Sequence, residues 1–125
     1  MPRNLLVIDD ALIIREMIKD AATGAGWNIV GEAADGQQAI EQYAQLRPDA
    51  TTLDLVMPQY DGLYALRGIM ACDPNAKVLV VSALEQKATL KEAFRLGAAD
   101  FLIKPFEKKA LIEALEQLAA SDGSD

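Results

Sequence analysis

Five polar residues stand where apolar runs of this chain end. Asp9 and Asp10 close NLLVID (4–9), Asp54 closes DATTLD (49–54), Ser82 closes KVLVVS (77–82), and Lys104 follows DFLI (100–103). If those runs are parallel strands, three carboxylates, a hydroxyl and an ammonium share one edge. Carboxylates crowded together repel one another and invite a cation. Oxygen ligands alone favour a hard ion, Mg²⁺, which keeps open positions for water and phosphate. A carboxylate can also act as a nucleophile and form an aspartyl phosphate. Phosphoryl transfer needs positive charge on the oxygens in flight, which Mg²⁺ and Lys104 can supply, and Ser82 can add a hydrogen bond. The chain contains no histidine. That removes histidine bases, histidine metal sites and phosphohistidine chemistry, so any phosphoryl group must be carried by carboxylates.

Each residue alone has a plainer reading. A DD pair caps helices, an acid before a turn satisfies backbone N–H groups, a serine is a good N-cap, and Lys-Pro punctuates surfaces. Their occurrence in order, at successive strand ends, favours a common site.

The elements that must position them alternate. Strands are read at 4–9, 27–33, 49–54, 77–82 and 100–103. Between them run helical stripes: Ile14, Met17, Ile18 and Ala21, stopped by Gly24 and Gly26; then Ala39, Ile40, Tyr43 and Ala44, stopped by Pro48. Leu63, Leu66 and Met70 line a third helix, ended by DPN (73–75). Leu90, Ala93, Phe94 and Gly97 mark a fourth, and Leu111, Ala114, Leu115 and Leu118 a fifth. Five such units imply an α/β doubly wound, five-stranded parallel sheet flanked by five helices, with right-handed crossovers. Such sheets bind ligands beyond the carboxyl ends of their strands.

Length and charge narrow the classes. The 125 residues, 51 % of them hydrophobic, suffice for one domain with its own core. A net charge of −7 argues against direct nucleic-acid binding, which needs a basic face. The single cysteine, Cys72, excludes an internal disulfide and suits a reducing compartment. No signal-peptide pattern or membrane-length apolar run occurs, so a cytoplasmic location with no membrane contact is expected. The domain is expected to span 1–120, with a short polar tail at 121–125.

The motifs VIDD (7–10), LDLVMPQYDG (53–62), VVSA (80–83) and GAADFLIKPF (97–106) resemble those of the receiver domain of bacterial two-component response regulators, in particular the chemotaxis-type single-domain regulators. The resemblance covers about residues 4 to 118. It implies strand order 2-1-3-4-5 and a phosphorylation-controlled switch in a phosphorelay, not a turnover enzyme. Asp54 would be the phosphoacceptor, charged by a sensor histidine kinase, a phosphotransfer protein or a small phosphodonor. Mg²⁺ would be held by Asp10 directly, Asp9 mostly through water, Asp54, and the backbone carbonyl of Val56. Lys104 would pair with Asp54 or its phosphate. Ser82 and the N–H groups of Val56 and Ala83 would meet the phosphoryl oxygens, and Phe101 would be the aromatic switch. The chain would act on a downstream output protein as a monomer or weak dimer.

Lys87, Lys91 and Arg95 recur at i, i+4, i+8 in an acidic chain. They read as a solvated face or as contacts for an acidic partner on the helix 4–strand 5–helix 5 output face. Val56 and Leu84 are apolar where polar groups could hold a hydrolytic water, which predicts slow loss of the phosphoryl group. Two other functions compete. A Mg²⁺-dependent phosphohydrolase would need an acid/base two residues after its nucleophile, where this chain has Val56. An excised domain of a longer regulator is the second.

Overall fold

The computed structural model describes residues 3–58, 61–83 and 87–120. Gln59 and Tyr60 of the third motif, Leu84, and the tail 121–125 lie outside the described residues. The element order is β1 (Asn4–Ile8), α1 (Leu12–Gly24), β2 (Asn28–Ala33), α2 (Gly36–Leu46), β3 (Ala50–Leu53), α3 (Gly62–Cys72), β4 (Val78–Ala83), α4 (Lys87–Leu96), β5 (Asp100–Lys104) and α5 (Lys108–Ala120). The strands form one five-stranded sheet in the order β2-β1-β3-β4-β5, every pair parallel. Fold class and strand order are those expected.

Parallel strands covered on both faces read as continuous apolar runs, and the period of two sorts their side chains. Leu6, Ile8, Leu53, Val78 and Val80 face a core completed by Ala39 and Tyr43 of α2, Leu66 and Ile69 of α3, and Ala93 of α4. Leu5, Val7, Leu79 and Val81 face the other core, completed by Ile18 and Ala22 of α1 and by Leu111, Leu115 and Leu118 of α5. Trp27 is buried in this second core, with the Arg3 guanidinium 4.4 Å above its ring.

Helix entries are set by short acids. Asp35 caps α2 by accepting the Gln38 N–H at 2.9 Å, and Asp61 caps α3 by accepting the Tyr64 N–H at 3.0 Å. Gly62 then lies so close to the preceding strand end that a Cβ would overlap the Asp54 carbonyl oxygen and Leu55 Cα. Only glycine lets α3 start there, directly under the Asp54–Leu55 peptide.

Four stripe positions depart from expectation, one of them Gly97, which is exposed just past the end of α4. Met17 is 45 % exposed, Phe94 is 41 % exposed, and Ala44 is also exposed. On α1 the buried face runs through Ile14, Ile18, Ala21 and Ala22, so the helix is turned about its axis and carries Met17 outward. Phe94 instead packs edge-on against Phe101, centroids 5.7 Å apart. Four strand ends also differ: β4 runs on through Ala83 and β5 through Lys104, while β1 and β3 stop one residue short of their acids. Asp9 and Asp54 lie just past β1 and β3, although their N–H groups still donate to the sheet, to Ala33 O and Ile8 O, each at 3.0 Å. Their carboxylates take over the next backbone donors, which turns the chain out of the ladder. Among the described residues no helix is long and apolar enough to cross a membrane.

Candidate functional site

The site is built at the carboxyl edge of β1, β3, β4 and β5. β1 and β3 are neighbours in the sheet, so the acids that follow them are neighbours too. Asp9 is 1 % exposed. Its Oδ1 accepts the Ala11 N–H at 2.9 Å and its Oδ2 accepts from Lys104 Nζ at 2.9 Å. Asp54 is 4 % exposed. Its Oδ1 accepts the Val56 N–H at 3.2 Å, and its Oδ2 stands 3.3 Å from Lys104 Nζ. Asp10 is exposed, yet one carboxylate oxygen from each of Asp9, Asp10 and Asp54 lies within 4.8 Å of the others.

Lys104 therefore bridges two buried acids. It arrives from β5, where it pairs in register with Ala83, and Ser82 pairs with Ile103. Burial opposes the Lys104 charge, but the hydrogen bond to Asp9 and the charges of Asp54 and Asp9 outweigh it, so its pKa is raised. The Asp54 carboxyl is also held above its ordinary range. Burial is the main cause and the Asp9 charge adds to it, against the opposing pull of the Val56 N–H and Lys104. Three carboxylates against one ammonium leave a negative surplus that a hard divalent cation matches in both charge and ligand type. The Ser82 hydroxyl is 4 % exposed as a residue and finds no hydrogen-bond partner among the described residues. A buried hydroxyl left without a partner is costly, and Ser82 shares this property with Thr51 and Thr52 of β3.

The remaining sequence-predicted residues sit as follows. Val56 is 52 % exposed beside Asp54. Ala83 is half-buried at the end of β4. Phe101 is 38 % exposed against Phe94. Lys87, Lys91 and Arg95 are exposed on α4, and Arg95 is engaged with Glu92 through two hydrogen bonds of 3.0 and 3.1 Å. The sequence reading missed two features here. Leu12 and Ile13, 59 % and 68 % exposed, form an apolar shelf on α1 immediately after the acids. Arg15 donates to the Asp9 carbonyl. The run ALII directly after DD was the available signal for the first; nothing in the spacing marked the second. A cleft of about 570 Å³ lined by Trp27, Tyr43, Asp73 and Lys77 shares no residue with the acidic site.

A parallel five-stranded sheet with three carboxylates and a lysine at one edge defines a receiver-type α/β domain. Residues 5–116 match the response regulator receiver domain, and the chain belongs to that family. Within it the chain is CheY-like. It is 44 % identical over 119 residues to chemotaxis protein CheY of Thermotoga maritima, covering 95 % of this chain and 99 % of the relative. It is 45 % identical over 115 residues to protein CcdB of Bacillus subtilis, covering 92 % and 96 %. A solved structure of the CheX-CheY-BeF3-Mg²⁺ complex from Borrelia burgdorferi superposes with a TM-score of 0.89 at 32 % identity, covering 94 % of this chain and 90 % of that one.

Proposed function

We propose that this receiver is a phosphorylation-controlled signalling switch whose acceptor is Asp54. The observation that carries the reading is the Lys104 ammonium, 2.9 Å from buried Asp9 and 3.3 Å from buried Asp54. An Asp54 oxygen attacks the phosphorus of a donor and forms a new P–O bond; the bond from phosphorus to the donor breaks, P–N for a phosphohistidine and P–O for an acyl phosphate, and the leaving group keeps its electron pair. The Val56 N–H on Oδ1 and Lys104 beside Oδ2 restrain the carboxylate, so part of the orientational cost is met before the donor arrives. Bound Mg²⁺, held by Asp10, Asp9, Asp54 and the Val56 carbonyl, would supply positive charge to the phosphoryl oxygens. Lys104 then turns from its two acids to the phosphate. The Ser82 hydroxyl and the Ala83 N–H meet the other oxygens.

The readout follows from β4. When Ser82 engages the phosphoryl group, the β4 end and the adjoining β5 shift, and Phe101 exchanges its place against Phe94 for an inward one. That alters the α4–β5–α5 face, where Lys87, Lys91 and Arg95 meet an acidic segment of an output protein. The donor is a sensor histidine kinase, a phosphotransfer protein or a small phosphodonor. The relative solved with CheX, BeF3 and Mg²⁺ supports a metal-dependent, partner-binding receiver. Turnover of an external substrate is not part of this reading, because Val56 offers no acid/base after the nucleophile. Acetyl phosphate with Mg²⁺ should add one phosphoryl group to the intact chain, labile to hydroxylamine. Asp54→Asn should remove that addition; unchanged labelling of the variant would refute the assignment.

A further inference from the structure

We propose that Arg15 and Glu32 are a positioning pair that clamps the Asp9 backbone and thereby sets the geometry of the divalent-cation site. The inference rests on the functional reading above. Arg15, on the first turns of α1, has a side chain only 16 % exposed. Its Nη1 donates to the Asp9 carbonyl oxygen at 2.6 Å and its Nε donates to Glu32 Oε1 at 2.9 Å. Glu32 lies in β2, one residue before Ala33, and the Ala33 carbonyl accepts the Asp9 N–H at 3.0 Å. A closed ring results: Asp9 to Arg15, Arg15 to Glu32, Glu32 through the chain to Ala33, and Ala33 back to Asp9.

The ring holds the peptide on each side of Asp9. The N–H belongs to the Ile8–Asp9 peptide and the carbonyl to the Asp9–Asp10 peptide, so both backbone torsions of Asp9 are fixed. The direction in which Asp10 leaves is fixed with them. Glu32 in turn is steadied by Lys19, whose Nζ lies 2.6 Å from Oε2. The hydrogen bond from Lys19 is the main reason the Glu32 carboxyl stays below its ordinary range, with Arg15 adding to it. Only a guanidinium presents two donors in a rigid fork, which is what bridging a carbonyl and a carboxylate requires.

Position and charge make opposite forecasts. Arg15 is a cation beside an acidic site, so by charge alone its loss should tighten Mg²⁺. If it positions Asp9 and Asp10, its loss should weaken Mg²⁺ despite the more negative field. Supporting partners of metal ligands typically change affinity by about 10–100-fold. The test is calorimetric Mg²⁺ titration of the metal-free protein, with amide hydrogen exchange at Asp9, Asp10 and Ala11. Arg15→Met should weaken Mg²⁺ about tenfold and raise exchange at those amides. Arg15→Lys should recover only part, having lost the fork. Lys19→Met, which removes a support of Glu32 but no donor to Asp9, should weaken Mg²⁺ less than Arg15→Met does. Glu32→Gln keeps an acceptor for Arg15 and should bind better than Glu32→Ala, so this comparison decides the matter if Arg15→Met does not fold. Mg²⁺ affinity unchanged or tightened in Arg15→Met, or equal in Glu32→Gln and Glu32→Ala, overturns the positioning pair alone. A wild type that neither binds Mg²⁺ nor accepts a phosphoryl group overturns the functional reading and the pair with it.

Discussion

Lys104 is the residue on which the balance of charge turns. Among the described residues it is the cation that meets the carboxylates of both Asp9 and Asp54, whereas Arg15 donates to the Asp9 backbone carbonyl and not to its side chain. Breaking a buried pair by removing one partner is costly because the other charge stays behind. Lys104→Met should therefore lower the stability of the metal-free protein by about 2 kcal/mol or more, and Mg²⁺ should recover a large part of it. Denaturant midpoints with and without Mg²⁺ measure this; an unchanged midpoint in metal-free buffer would mean Lys104 compensates nothing. Asp54 acts in the other sense. Its raised pKa means the folded state holds the proton more tightly than the unfolded chain does. Stability is then lost as pH rises from the ordinary carboxylate range, about 4, through the folded value, and the cost is full above it. Asp54→Asn should raise the melting temperature of the metal-free protein at neutral pH, and the gain should shrink as pH falls below about 4. A variant that melts lower than the wild type at neutral pH would contradict that sign. The acids and lysine were legible as types in the sequence. Which acid Lys104 prefers, and the fork of Arg15, were not, because side-chain reach across strands has no trace in spacing.

At the scale of elements, the strand ends do the positioning. The runs NLLVID and DATTLD were readable as strands, but their last acids leave the ladder because each carboxylate captures a backbone N–H two residues on, Ala11 for Asp9 and Val56 for Asp54. Apolar periodicity could not show this, since the N–H groups of both acids remain bonded to the sheet. Helix faces were legible to within a rotation: Met17 and Phe94 fit a stripe of period 3.6 yet face outward, because neighbouring positions supply the contacts that α1 and α4 make. Phe94 is free to meet Phe101 for that reason, and this contact links α4 to β5. The α3 start depends on Gly62. Gly62→Ala would drive a methyl into backbone atoms of Asp54 and Leu55 that cannot rotate away. It should cost about 1–3 kcal/mol and slow labelling of Asp54 as well, and chemical denaturation beside a labelling time course checks both. On α4, Lys91→Glu with Arg95→Glu should weaken output-partner binding while phosphorylation stays normal. An affinity indifferent to both substitutions and to salt would leave the stripe as solvated surface.

For the whole molecule, the doubly wound order explains why residues nearly a hundred positions apart can share one site. With β1 and β3 adjacent at the centre and β4 and β5 beyond them, every carboxyl end opens on the same edge. The two cores sort cleanly across the sheet, and the strands that carry the acids and Ser82, β1, β3 and β4, are its buried ones, while β2 and β5 are only partly covered. The alternation of strand and helix made that architecture readable from the sequence, and the strand order came with the resemblance, since periodicity does not say which strands are neighbours. The lifetime of a phosphoryl group on Asp54 would depend on how water reaches this edge. Val56, 52 % exposed beside Asp54, offers no group to hold an attacking water. Val56→Asn should therefore speed loss of the phosphoryl group once the donor is removed.

Whether Asp54 carries the phosphoryl group can be read by trapping the acyl phosphate where it forms. The protein is incubated with acetyl phosphate and Mg²⁺, reduced with borohydride, and digested for peptide sequencing by mass spectrometry. Homoserine at position 54, dependent on Mg²⁺, is the expected product. Homoserine at position 9 or 10, or none at position 54 in a chain that does take up phosphate, would refute Asp54 as the acceptor.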